Sequence, residues 1–166
     1  ANQPGKDNVL EFTITYMDGL GTNYLFNEVK VGTEIDFKGP GGVFTLPSEV
    51  KNDLVFICTG TGVAPFRSMI LDLLENKKAH QNIHVIFGTR HASGILYSAE
   101  FEKLQKENSQ FKYSVALSRE EELPDVSFEV HKGYVHEIYR KHFQGRVEGK
   151  KFYLCGWTNM VDQASA

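Results

Sequence analysis

Residues 53–69 read DLVFICTGTGVAPFRSM, and the rest of the fold can be built around them. The first part, DLVFICTG, is a continuous apolar run of strand length, the pattern of a strand covered on both faces. A glycine-rich turn follows. From Ala64 to about Asn76 the apolar residues Phe66, Met69, Ile70, Leu73 and Leu74 fall on one helical stripe. Strand, glycine turn and helix thus succeed one another without a linker. Gly60, Gly62 and Pro65 form a GxGxxP pattern: the glycines let backbone N–H groups approach an anion, and proline suits the first turn of a helix whose positive end faces it. The chemistry implied is binding of a phosphate or pyrophosphate. No GK[ST] follows, so it is not a P-loop, and a glycine turn taken alone also fits an ordinary tight βα connection.

Toward the C-terminus the chain gives IHVIFGTR, a helix around Ser98–Asn108, the strand FKYSVALSR, a helix over Tyr134–Phe143 and the strand KFYLCG. Strand and helix alternate four times. That order predicts an α/β fold with a parallel sheet, helices on both faces and right-handed crossovers. Toward the N-terminus the period changes to alternation, in LEFTITY (residues 10–16) and in residues 34–38, broken by GlyLeuGly, GlyPro and GlyGly. This part predicts short antiparallel strands with one solvated face. PSEVKND (residues 47–53) reads as the hinge, dividing the chain into residues 1–50 and 51–166. The first unit has too few strands to close a barrel. Residues 159–166 begin a further helix, so the chain is expected to be part of a longer protein.

Composition narrows the classes. With 18 Lys plus Arg against 21 Asp plus Glu, the net charge is −3 and its signs are interspersed. Nucleic acid and anionic membrane need a clustered basic surface, so neither is an expected partner. No apolar run reaches the length of a membrane span, and the polar N-terminus has no signal-peptide core. Cys58 and Cys155 stand far apart in a chain poor in cysteine, which predicts a reducing, cytoplasmic setting. The histidines at 80, 84, 91, 131, 136 and 142 show no HExxH or CxxC partner spacing. No metal site is expected from spacing. There is likewise no GxSxG elbow and no four-cysteine iron–sulfur pattern.

The remaining candidates follow the strand ends. After the second strand of an NAD-type fold an acidic residue bonds the ribose 2′-hydroxyl, whereas arginine accommodates a 2′-phosphate. Here that strand ends in Arg90, the next in Ser118 and Arg119, and Lys132 and Tyr134 follow a loop. A hydroxyl, a guanidinium, an ammonium and an aromatic ring suit a phosphorylated ribose with adenine beside it. Singly, each cation also reads as a solvated loop charge. Cys155, with Gly156, Trp157 and Met160 after it, ends the fourth strand. It reads either as a small buried hydrophobe or as a polarisable group against a flat ring; a nucleophilic thiolate would need a cationic neighbour or a base.

Together these segments resemble the ferredoxin-NADP reductase superfamily of flavin-dependent reductases. TGTGVAPFRSM, ILYSAEFEKL, ALSRE, KGYV and CGWTNMVDQA are similar to its successive motifs in order, and DGLGTNYLFNEVKVGTEIDFKGPGGVF resembles the end of its FAD-binding barrel. The resemblance implies a Rossmann-like sheet preceded by part of an antiparallel β-barrel. It implies that Gly21, Thr22 and Asn23 belong to the FAD pyrophosphate turn. Gly60, Thr61, Gly62, Ala64 and Pro65 would form the dinucleotide loop, with Thr61 near flavin and nicotinamide. Ser118, Arg119 and Tyr134, with Arg90 and Lys132 beside them, would hold the 2′-phosphate and adenine of NADP, with NAD also open. Cys155 and Gly156 would lie at nicotinamide C4, with Met160 close by.

The implied activity is hydride transfer from NADPH or NADH to FAD, with electrons passing to a protein acceptor such as ferredoxin, flavodoxin, an oxygenase component or haem. The alternatives are a flavin-free dinucleotide-binding or regulatory module and, more remotely, a thiol enzyme using Cys155. The chain departs from the family in three places. The Arg-x-Tyr-Ser motif is absent, Ala1 and Asn2 resembling the residues after it; the terminal strand and aromatic residue are absent; and Trp157 stands where many members have proline or a small residue. The residues present are therefore not expected to complete an FAD site.

Overall fold

A computed structural model describes residues 2–5, 7–39 and 41–165. Ala1, and Pro40 of the GP-G-F segment, lie outside the described residues. Five parallel strands form one sheet in the order β4-β3-β2-β1-β5. They are β1 Asp53–Thr59, β2 Ile83–Thr89, β3 Phe111–Leu117, β4 Glu129–Lys132 and β5 Lys150–Cys155. The helices are α1 Leu20–Asn23, α2 Val63–Glu75, α3 Ser98–Glu107, α4 Val135–Phe143 and α5 Thr158–Ser165. The Rossmann-like α/β expectation holds. Among the described residues no helix is long and apolar enough to cross a membrane.

The continuous apolar runs are explained by two covered faces. Leu54, Phe56 and Cys58 of β1 join Phe66, Ile70 and Leu73 of α2 and Phe101 of α3 in one core. Val55 and Ile57, pointing the other way, pack with Val135 and Ile138 of α4 and with Met160 of α5. Successive strand residues face opposite sides, so both helix layers need apolar partners from the same seven-residue strand.

Two expectations need correction. None of the described residues in 2–52 belongs to a β-ladder, and α1 is followed instead by a π-helical turn at Tyr24–Glu28. Leu10, Phe12 and Ile14 are exposed. Alternation assigns two faces to a segment but supplies no partner for its hydrogen bonds, so the antiparallel portion is not built by these residues alone. Conversely, β4 lies in what the sequence presented as loop. Its four residues, EVHK, are short and polar, as an edge strand tolerates, and they pair with β3 in the register Ser114↔Glu129 to Leu117↔Lys132.

The N-terminal segment is tied to the sheet domain by polar contacts centred on Arg67 of α2. Its Nε donates to Glu100 Oε2 at 2.6 Å and its Nη1 to Glu11 Oε2 at 3.1 Å, while the guanidinium lies 4.5 Å over the Tyr97 ring. Burial opposes the charge on Arg67, but the Glu100 and Glu11 carboxylates outweigh it and hold the guanidinium protonated above its ordinary range. The Tyr97 hydroxyl also bonds Thr13, 84 positions away in the chain.

Candidate dinucleotide-binding site

The site lies at the carboxyl ends of the strands. β1 runs into a 3-10 turn, Gly60–Gly62, which enters α2 directly at Val63. Ala64 and Pro65 therefore sit in the first turn of α2 rather than in the loop before it, and Pro65 costs no backbone hydrogen bond there. Gly60 adopts φ +53°, and a Cβ built on it would meet nothing within 4 Å. The turn leads straight into the N-terminus of α2, the end of a helix that favours an anion.

Gly62 does the opposite job. A Cβ there would lie 2.7 Å from the Cys155 carbonyl carbon and 3.0 Å from Gly156 Cα. The glycine turn after β1 is packed against the end of β5, whose Cys155 pairs in register with Cys58. Gly156, at φ +153°, completes the fit: a Cβ would fall 2.9 Å from the Thr59 backbone nitrogen. Thr59 Oγ1 accepts a hydrogen bond from the Trp157 N–H at 3.1 Å. Thr59 opens the TGTGVAPFRSM segment, but no role for its side chain follows from the sequence. Met160 approaches Gly156 with its terminal methyl, while the Trp157 side chain stays exposed.

Burial pushes the Cys155 thiol above its ordinary range, with no cationic neighbour opposing it. Burial pushes Cys58 up further still, and Cys155 adds to the effect. Both are neutral thiols at neutral pH, so this setting does not activate a nucleophilic thiolate.

Backbone bonds continue beyond the strand ends and gather the candidate phosphate ligands. Ser118 N–H donates to Thr89 O at 3.0 Å, and Arg119 N–H donates to Arg90 O at 2.9 Å. Gly133 N–H donates to Leu117 O at 2.9 Å, which fixes Lys132 beside the end of β3. Arg90, Arg119 and Lys132 thus stand at the ends of three adjacent strands, and among the described residues none of their side chains makes an ion pair. The neighbouring Glu120 carboxylate is engaged by the Ala92 N–H at 2.6 Å. Tyr134 presents an exposed ring, stacked on His136 with centroids 5.7 Å apart and planes 15° apart.

Gly21, Thr22 and Asn23 lie in α1. Thr22 Oγ1 is bonded to Met17 O, and Asn23 Oδ1 accepts from the Tyr16 hydroxyl at 2.5 Å. Their polar side chains are spent within their own loop. The described residues fit a nicotinamide dinucleotide, with an open anion turn and uncommitted cations; they do not by themselves build a complete FAD site.

A second cluster, on the α4 face of the sheet, was invisible to spacing. Glu129 Oε1 lies 2.7 Å from His131 Nε2, and Glu129 Oε2 lies 2.8 Å from His142 Nε2 and 3.1 Å from Lys112 Nζ. Burial alone would raise the Glu129 carboxyl, but hydrogen bonds from His131, Ser114, Lys112 and His142 hold it well below the usual carboxylate range.

A parallel sheet with a glycine turn after its first strand and cations at the ends of the next three is the layout expected of a dinucleotide-binding domain. Residues 56–166 match the family described as the oxidoreductase NAD-binding domain, and the chain belongs to that family. It is 33% identical over 165 residues to the reductase component DmpP of phenol 2-monooxygenase from Pseudomonas sp. strain CF600, covering 99% of this chain and 46% of that protein. It is 34% identical over 125 residues to a component of the Na(+)-translocating NADH-quinone reductase of Shewanella putrefaciens, covering 75% of this chain and 40% of the relative. In structure it resembles the Amycolatopsis cytochrome P450 reductase GcoB, with a TM-score of 0.70 at 24% identity, over 85% of this chain and 41% of that one. The chain spans less than half the length of these proteins. The resemblance to the ferredoxin-NADP reductase superfamily is upheld.

Proposed function

We propose that this chain is the dinucleotide-binding part of an FAD-containing reductase that takes hydride from NADPH, or NADH, and passes electrons to a protein acceptor. Residues 51–166 are the dinucleotide-binding domain in this reading, and residues 1–50 are the end of the flavin domain. The observation that carries it is the arrangement of Gly60–Gly62 against Cys155 and Gly156, with three uncommitted cations in a row beside it. Flavin, held by the full-length protein, supplies the two-electron to one-electron conversion. The chain's own residues bind and orient: the turn receives the pyrophosphate, and Cys155 and Gly156 leave a flat, close surface for the nicotinamide. Hydride transfer needs no strong acid or base, in keeping with a cradle whose thiols are neutral. Among oxygenase, quinone and haem acceptors, the reductase component of phenol 2-monooxygenase favours an oxygenase component. Two reduced thiols, Cys58 and Cys155, fit a cytoplasmic protein.

The preference for NADPH rests on Ser118, Arg119, Arg90 and Lys132, although one relative is named for NADH. Charge-assisted phosphate bonds contribute about 1.5–3 kcal/mol, so Arg119→Ala is expected to weaken NADPH by roughly 10- to 100-fold and NADH little. Equal losses for both would refute the preference. For the activity itself, anaerobic mixing of the full-length protein with NADPH is expected to bleach a flavin band. Dinucleotide binding by calorimetry with no flavin in the full-length protein would instead establish the flavin-free module.

A further inference from the structure

We propose that Glu129, His131 and His142 form a binding site for a divalent d-block ion, with zinc(II) the best match to the ligand set. Glu129 and His131 are two apart on β4 and share a face of the sheet. His142, on the last turn of α4, is brought onto that face from eleven positions further along the chain. One ligand atom from each residue falls within 4.8 Å of the other two. Two imidazole nitrogens and a carboxylate oxygen are a recurrent zinc donor set that leaves a fourth position for water.

The three ligand atoms, all within 4.8 Å of one another, need only draw together around an ion. A tetrahedral zinc with bonds of about 2.0–2.1 Å separates its ligand atoms by about 3.3 Å. Glu129 Oε1 lies 2.7 Å from His131 Nε2 and Glu129 Oε2 lies 2.8 Å from His142 Nε2, hydrogen bonds whose bridging protons the ion would replace as one of the two oxygens turns to it. Each ring keeps one proton by moving it to Nδ1, so neutral imidazole lone pairs face the ion.

The surroundings are those of a held carboxylate. Ser114 Oγ donates to Glu129 Oε2 at 2.9 Å, and His84 Nε2 lies 2.9 Å behind Ser114, donating to it. The His142 ring stands edge-on to His84, with centroids 5.1 Å apart. Such outer contacts fix the orientation of metal ligands. Side-chain exposures of 25% for Glu129 and 21% for each histidine leave a route for an ion from solvent.

Lys112 is the competing cation. Its ammonium sits 3.1 Å from Glu129 Oε2, but the side chain is 46% exposed and can swing into water. Lys141, at 3.8 Å and 64% exposed, is freer still. The site is thus one in which a metal ion displaces an ammonium, and this gives it a signature that scattered surface histidines lack.

The test is calorimetric titration of chelator-treated, tag-free full-length protein with Zn²⁺, together with visible absorption on adding Co²⁺. One ion per chain and a tetrahedral cobalt spectrum are expected. His142→Ala and His131→Asn should each weaken Zn²⁺ by at least the roughly 10- to 100-fold that loss of an outer partner of a metal ligand costs. Lys112→Met, an exposed change that spares the fold, should tighten Zn²⁺ by about tenfold through loss of like-charge repulsion near the surface. Absence of stoichiometric binding, binding unchanged in both histidine variants, or binding not tightened in Lys112→Met would each overturn the proposal.

Discussion

Replacing Gly62 by alanine tests whether the anion turn and the end of β5 form one packed unit. Gly62 has an ordinary helical φ of −62°, so backbone preference alone would make alanine neutral or stabilising by about 0.5–1 kcal/mol. Packing reverses the sign. The new methyl would lie 2.7 Å from the Cys155 carbonyl carbon and 3.0 Å from Gly156 Cα, where carbon atoms normally stand about 3.5–4.0 Å apart. These are backbone atoms on both sides, so no side chain can rotate away and the two strand ends must separate. Overpacking of a well-packed core costs about 1–3 kcal/mol, and a backbone clash belongs at the upper end.

Gly60→Ala is the internal control, because φ is +53° there but the space is open. Its cost is conformational only, about 1 kcal/mol. In a domain of this size 1 kcal/mol moves Tm by about 2–4 °C. Gly62→Ala is therefore expected to lower Tm by roughly 6–10 °C and Gly60→Ala by roughly 3 °C, measured by thermal denaturation of the full-length protein. Gly62→Ala should also weaken dinucleotide binding at a temperature where the variant is fully folded. A Gly62→Ala protein as stable as the Gly60→Ala protein would refute the packing argument.

Two further outcomes follow from the same structure. Arg67→Met, which removes the bonds to Glu100 and Glu11, should cost about 2 kcal/mol by denaturant titration and speed proteolysis within residues 2–39; the discount from a fully buried pair reflects the 41% exposure of Glu11. Because Cys58 and Cys155 both have raised thiol pKa values, iodoacetamide should label neither appreciably at pH 7, and Cys155 labelling should rise as the pH passes above the ordinary thiol range. Rapid labelling of Cys155 at pH 7, followed by mass spectrometry, would revive the thiol-enzyme reading.

The parallel α/β class is legible in the residues alone, because a strand covered on both faces must be apolar through its middle, and LVFIC, residues 54–58, is. So is the glycine turn that leads into α2, since Gly60, at φ +53°, and Pro65, in the first helical turn, have backbone requirements that travel with the residues. Arg90 and Arg119 can be read as a pair because chain order places each just after a strand and parallel strands end on the same side, whereas Lys132 joins them only once β4 has formed. Three other features exist only in the folded chain. The pairing of Glu129–Lys132 as a fifth strand depends on the neighbouring edge of β3, which no local pattern encodes. The reason Gly62 must be glycine lies 93 positions away, at Cys155. The convergence of Glu129, His131 and His142 needs the last turn of α4 to fold over β4, a long-range contact with no spacing signature. Local preferences can be read residue by residue, whereas packing distances exist only once the chain has closed on itself.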